Sequence, residues 1–152
     1  MESNKNIFDW IIDLPFLRWF KPIYIKYREM LLYLFFGGLS FVVSIATYAL
    51  FNIELRFNEL IANIFSWIIT VMFAFLTNRV WVFQTPTKGK TEFVKQMLAF
   101  YSGRVVTLII EEVILLIFIT LLGFNSMFVK IVAQIVVILL NYIISKLFIF
   151  KK

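Results

Sequence analysis

Cysteine and histidine are both missing from the 152 residues. Their absence removes disulfides, thiol nucleophiles, histidine general bases and the usual zinc sites. It also leaves the compartment unreadable from redox chemistry. No glycine-rich phosphate loop of the Walker type occurs, and no soluble stretch is large enough to carry one. Charged residues make up only 16% of the chain. With carboxylates, lysine and arginine alone, and no paired acids on a metal-binding loop, the expectation is a protein that is not an enzyme and needs no metal and no cofactor.

What is present is apolar. The chain is 62% hydrophobic and 19% aromatic, with 19 Phe against five Gly. A small globule cannot bury that much apolar surface, so the excess must face lipid. The net charge of +6 is compatible with nucleic acid, but the cations sit beside apolar runs. They read instead as topology signals and contacts to anionic lipid, with no nucleic-acid partner.

Two stretches have one form. Asn78-Arg79-Val80-Trp81-Val82-Phe83 closes one long apolar run, and Ser145-Lys146-Leu147-Phe148-Ile149-Phe150 closes another, 67 positions later. Each is a polar residue, a cation, an apolar residue, an aromatic, an apolar residue and Phe. The expected architecture is all-α and integral to the membrane. It has four transmembrane helices, arranged as two parallel helical-hairpin repeats over about residues 31–83 and 97–150.

Residues 6–20 have Phe8, Ile11, Ile12 and Phe16 at helical spacing, with Asp9 and Asp13 one turn apart. They are expected to lie in the headgroup plane as an amphipathic helix, kinked or divided by Pro15, with Trp10 and Trp19 as anchors. The other reading is a disordered tail. The segment 1–30 lacks the pattern of a cleavable signal, so the first span is expected to stay in the mature protein.

The spans are expected near residues 31–51, 60–78, 97–122 and 127–148. The first is long enough for a hydrocarbon core of about 30 Å, the third is long enough to tilt, and the fourth has a short uncharged core whose Lys130 and Lys146 can snorkel outward. Gly37, Ser40, Ser44 and Thr47 make a small-residue stripe on the first, suited to close helix packing, within the chain or in a homo-oligomer, with a substrate-lining face as the other reading. Asn63, Ser66, Thr70 and Thr77 make a polar face on the second, which should point into the bundle. Residues 84–95 read as the linker between repeats, with Pro86 and Gly89.

Cations cluster before the first span (Lys5, Arg18, Lys21, Lys26, Arg28), around the linker (Arg79, Lys88, Lys90, Lys95) and at the end (Lys146, Lys151, Lys152). The other two links have only Arg56 and, just beyond, Lys130. The positive-inside rule then puts both termini and the linker in the cytoplasm.

The third span carries Arg104, Glu111 and Glu112. Charges deep in a span cost several kcal/mol unless paired or hydrated. Either Arg104 snorkels and the Glu pair is neutralised structurally, or the three form a polar path or headgroup site. Gln134 and Asn141 share a face of the fourth span, as path lining or as inter-helix glue. Arg79 and Lys146 are topology anchors on one reading. On the other they meet lipid phosphate, Arg with the more directional grip. Asn78 belongs to the same ending. Trp81, Phe83, Phe148 and Phe150 are expected in the interface beside these cations.

The second-span ending, its weaker echo at the chain end, the Phe35-Phe36-Gly37-Gly38 opening and the four-span plan resemble the GtrA-like family of small bacterial membrane proteins over about residues 33–150. Ser145 and Lys146 depart from Asn78 and Arg79, which weakens any equivalence of the two endings. The resemblance implies polyprenyl phosphate or a polyprenyl-phosphate sugar as ligand. It implies translocation of that sugar across the bacterial cytoplasmic membrane for cell-surface polysaccharide or teichoic acid glycosylation, beside membrane glycosyltransferases. Joined to the polar-path reading above, Asn78, Arg79, Lys146, Arg104, Glu111, Glu112, Gln134 and Asn141 are expected to handle phosphate and headgroup, the roles of Glu111 and Glu112 resting on that path and not on the resemblance. The rival functions are a polyprenyl-phosphate-binding partner of a glycosyltransferase that does not transport, and a small proton-coupled drug exporter.

Overall fold

The computed structural model describes residues 7–85 and 89–150. Lys5, Asn6, Pro86, Lys88, Lys151 and Lys152 lie outside them. Among the described residues all regular structure is helical. Three stretches are long and apolar enough to cross a membrane, Leu17–Glu54, Ile61–Val82 and Ile131–Ile149. A further long helix carries Arg104, Glu111 and Glu112.

The chain divides into two compact units, residues 1–84 and 85–152. In the first, helix α1 (Ile7–Ile12) stops before Pro15, and a 3₁₀ turn follows over Pro15–Phe20. Proline has no amide to donate and clashes with the preceding turn, so it opens a new helical segment. Helix α2 (Lys21–Ala49) bends at Tyr27, whose φ of −116° and ψ of 21° are not helical. That bend separates a short polar beginning from the apolar rod. Helix α3 (Glu59–Thr77) packs back on α2. The second unit pairs α4 (Lys90–Leu115) with α5 (Ser126–Ile144) in the same way.

Each of these four rods ends in a wide π turn: Leu50–Glu54, Asn78–Val82, Leu116–Leu121 and Ser145–Ile149. Such turns bond residue i to i+5 instead of i+4 and occur preferentially at functional sites. The turns between rods match residue for residue. Leu55 N–H donates to Leu50 O at 3.0 Å, and 67 positions on Leu122 N–H donates to Ile117 O at 3.0 Å. Phe57 N–H reaches Phe51 O at 2.9 Å, and Phe124 N–H reaches Phe118 O at 2.9 Å. The rings of each Phe pair stack, at 5.8 and 5.9 Å. Both turns need a left-handed residue, which is Arg56 (φ 54°) in the first and Gly123 (φ 70°) in the second. That conformation costs a residue with a Cβ about 1–2 kcal/mol, and glycine almost nothing.

The seams differ in chemistry. Between α2 and α3, Ser66 Oγ donates to Ser44 O at 2.7 Å and lies 2.9 Å from Thr47 Oγ1. Ser44 and Thr47 of the small-residue stripe therefore work at the seam. Gly37 is exposed, and a Cβ built there has no neighbour within 4 Å. On the polar face of α3, Ser66 and Thr77 are buried but Asn63 is exposed. The tight approach of helices lies elsewhere, at Gly103. A Cβ there would stand 3.2 Å from Ile144 Cγ2 and 3.8 Å from Ile149 Cδ1. Gly103→Leu is therefore expected to push α4 off α5 and cost about 1–3 kcal/mol as overpacking. Thermal unfolding in detergent checks this: a midpoint at or above wild type would mean the seam is loose there.

Candidate headgroup site

The first ending is built by its π turn. Asn78 is 3% exposed, and its Nδ2 donates to Ala74 O at 2.7 Å. Its Oδ1 is buried with no hydrogen-bond partner among the described residues. Arg79 is half-buried beside it, and Val80 is exposed. Trp81 lies flat on Phe36 of α2, centroids 5.3 Å apart and planes 16° apart. Phe83 N–H donates to Asn78 O at 2.8 Å.

The second ending repeats that backbone, with Phe150 N–H donating to Ser145 O at 2.8 Å. Ser145 is buried, and Lys146 is exposed, its Nζ donating to Tyr142 Oη at 3.3 Å. Phe148, in the place of Trp81, is 70% exposed. The position that matches Phe36 is Gly103, so no ring stands there to stack on.

Phe83 and Phe150 are not interfacial anchors in this structure. Each is only 2% exposed, and Phe150 lies 6.0 Å from Phe100. The π turn is the reason. In a regular helix of 3.6 residues per turn, Phe83 would sit about 140° from Asn78 around the axis. An i to i+5 turn completes roughly one revolution in those five residues. Phe83 thus returns to the face of Asn78 and enters the core with Val82. The exposed residues of the two endings are Val80 in the first, beside half-buried Arg79 with its buried Nε, and Lys146, Leu147 and Phe148 in the second.

The polar groups of the second unit form rungs between α4 and α5. Gln134 Nε2 donates to Glu111 Oε1 at 2.5 Å. Further along, Thr107 Oγ1 donates to Asn141 Oδ1 at 3.0 Å. Arg104 lies over the ring of Phe100, 4.8 Å from its centroid, which holds the guanidinium by a cation–π contact. Glu112 does not join Glu111. Adjacent residues on a helix point about 100° apart, and Glu112 is exposed while Glu111 is buried. Sequence reasoning passed over Thr107, Phe100 and Gly103. Thr107 was findable, since it lies at i−4 from Glu111 and so shares its face.

Residues 32–150 match the model of the GtrA/DPMS transmembrane domain. The cell wall teichoic acid glycosylation protein GtcA of Listeria monocytogenes serovar 1/2a (strain ATCC BAA-679 / EGD-e) is 29% identical over 147 residues, 97% of each chain. GtcA of Listeria innocua serovar 6a (strain ATCC BAA-680 / CLIP 11262) is 33% identical over 124 residues, covering 82% of this chain and 86% of its own. The uncharacterized membrane protein YwcD of Bacillus subtilis (strain 168) is 31% identical over 121 residues, 80% of this chain and 95% of its own.

Proposed function

Because the chain belongs to the GtrA/DPMS transmembrane-domain family, we propose that this membrane protein translocates a polyprenyl-phosphate-linked sugar across the bacterial cytoplasmic membrane for teichoic acid glycosylation. The carrying observation is the paired endings. Two rods close in the same π turn, each with a cation, half-buried Arg79 or exposed Lys146, directly after an inward Asn78 or Ser145, and with the following Phe also turned inward. The teichoic acid assignment follows the names of the two GtcA relatives. On this reading residues 31–150 are one domain whose α4 crosses the membrane as a fourth span. Both termini face the cytoplasm, where Arg79 and Lys146 meet the lipid phosphate. Arg104, Glu111, Glu112, Gln134 and Asn141 offer polar contacts to the headgroup, and further wall comes from a homo-oligomer beside a membrane glycosyltransferase.

The test is binding of polyprenyl phosphate, with and without a sugar, to purified protein in nanodiscs. Wild type is expected to bind below about 1 μM, and Arg79→Ala to lose about tenfold or more, or about 1.4 kcal/mol. Lys146→Ala is expected to lose less, since an ammonium is a point charge without a fork. Unchanged affinity in Arg79→Ala would reduce the cation to a topology anchor.

A second reading has one observation in its favour. The rungs Glu111–Gln134 and Thr107–Asn141 use the polar groups of α4 and α5 to seal those helices together. A protein so sealed holds the lipid phosphate for a glycosyltransferase without passing the sugar. Binding without flipping in a reconstituted assay would select it.

A further inference from the structure

The family match begins at residue 32, so it gives no role to residues 7–20. These residues are fixed to α2 by their acids. Asp9 Oδ1 accepts from Tyr24 Oη at 2.7 Å and from Arg28 Nε at 3.0 Å. Asp13 Oδ1 accepts from Lys21 Nζ at 2.5 Å. Phe8 packs edge-on to Phe35 and Phe36, 5.5 Å from each. The inward side of the segment is thus occupied by its charges and one ring.

The outward side is apolar. Ile7 and Trp10 are 70% and 71% exposed, and Ile11 and Leu14 complete a shallow concavity of about 440 Å³ with them. Arg18 and Lys26, on the segments that follow in the chain, are exposed, and Lys26 Nζ lies 5.2 Å from the centroid of the Tyr27 ring. Glu29, half-buried, follows Arg28 on α2. Asp9 and Asp13 are each bonded to a cation of α2, and the exposed Arg18 and Lys26, close to the segment in sequence, are both positive.

We infer that residues 7–20 form a foot that binds an anionic lipid surface, with Trp10, Ile11 and Leu14 at the boundary of the acyl chains and Arg18 and Lys26 on headgroup phosphate. Continuity fixes the occupant. The foot is bonded to Lys21, Tyr24 and Arg28, within a few residues of the bend at Tyr27, and the apolar rod of α2 starts directly beyond. A cluster held at the point where a membrane rod begins stands at headgroup depth. An apolar face with cations beside it is the composition that depth selects. Within its own unit the foot bears on the first ending, since Phe8 meets Phe36 and Phe36 carries Trp81.

The absence of cysteine makes the test clean, because each single-cysteine variant carries one label. Spin labels at Ile11→Cys and Leu14→Cys are compared with one at Lys90→Cys, in nanodiscs of phosphatidylcholine alone and with phosphatidylglycerol. The expected result is that labels at 11 and 14 are reached by dissolved oxygen and shielded from a water-soluble nickel chelate, while the label at 90 is not shielded. Phosphatidylglycerol should deepen the shielding, and Arg18→Gln should raise the lifted population about fivefold. Labels at 11 and 14 as open to nickel as that at 90 would overturn the foot. Shielding that ignores phosphatidylglycerol would overturn its anionic ligand. Shielding that appears only when a second protein is added would overturn the lipid as occupant.

Discussion

Phe83→Ala is expected to destabilise the protein by about 2–4 kcal/mol, through the cavity it opens. The figure sits below the upper range for soluble cores because lipid tails solvate a ring about as well as protein does, which leaves packing as the main loss. The ring is 2% exposed and follows a π turn that returns it to the face of Asn78. Phe150→Ala should cost a similar amount, since Phe150 is equally buried and packs 6.0 Å from Phe100. Phe148→Ala should cost less than about 0.5 kcal/mol, because that ring is 70% exposed and surface changes are usually small. The contrast between neighbours two residues apart is the sharp part of the prediction. Unfolding of purified variants in detergent measures it. Equal losses at 148 and 150 would mean that the ending is a regular helix in solution and the π turn is absent.

Gln134→Leu carries the second large effect, about 2–3 kcal/mol of stability. Its amide bonds Glu111 Oε1 at 2.5 Å, inside a seam where Glu111 is 6% exposed. Removing the donor takes a hydrogen bond from a buried carboxyl group, and such a loss exceeds the value of the bond itself. Replacing both residues with leucine should recover most of it, to within about 1 kcal/mol of wild type, since two apolar side chains need no partners. The first unit is consistent with this: the position that matches Glu111 is Ser44, whose backbone carbonyl, not a carboxylate, accepts from Ser66 Oγ across that seam. A double-mutant cycle on unfolding free energies decides the matter. Losses that add to within about 0.5 kcal/mol would show that the two side chains do not depend on each other.

Much of this was legible in the sequence because it rests on spacing. The paired endings could be read from side-chain type alone. The break near Pro15 could be read too, since proline acts through its own ring and missing amide. The π turns could not. Nothing in Val80, Trp81 and Val82 signals an extra residue in the turn, because every neighbour is apolar and fits either winding. Phe83 and Phe150 were therefore placed outward by a rule that assumes 3.6 residues per turn. Asp9 was read only as one of two acids a turn apart, and its partners Tyr24 and Arg28 are 15 and 19 positions away, beyond any local pattern. Glu111 and Glu112 were read as a pair by adjacency, although helical geometry alone separates their faces. Gly37 drew attention as a small residue in an apolar run. Only the packed structure shows that Gly103 has the close neighbour.

The matching turns have a consequence for what each rod can tolerate. From Leu50 to Phe83, each closing bond has its twin 67 positions on, with no residue gained or lost between copies. One residue added to a rod would swing everything beyond it by about 100° and carry Asn78 or Ser145 out of the core. Side-chain identity differs far more between the two endings: Asn against Ser, Arg against Lys, Trp against Phe, and Ser44 against Glu111. Spacing is thus what the two units share, and chemistry is where they differ. Register within a rod is the quantity these turns hold fixed, so an insertion there reaches every side chain beyond it, while an exchange of one exposed side chain stays local.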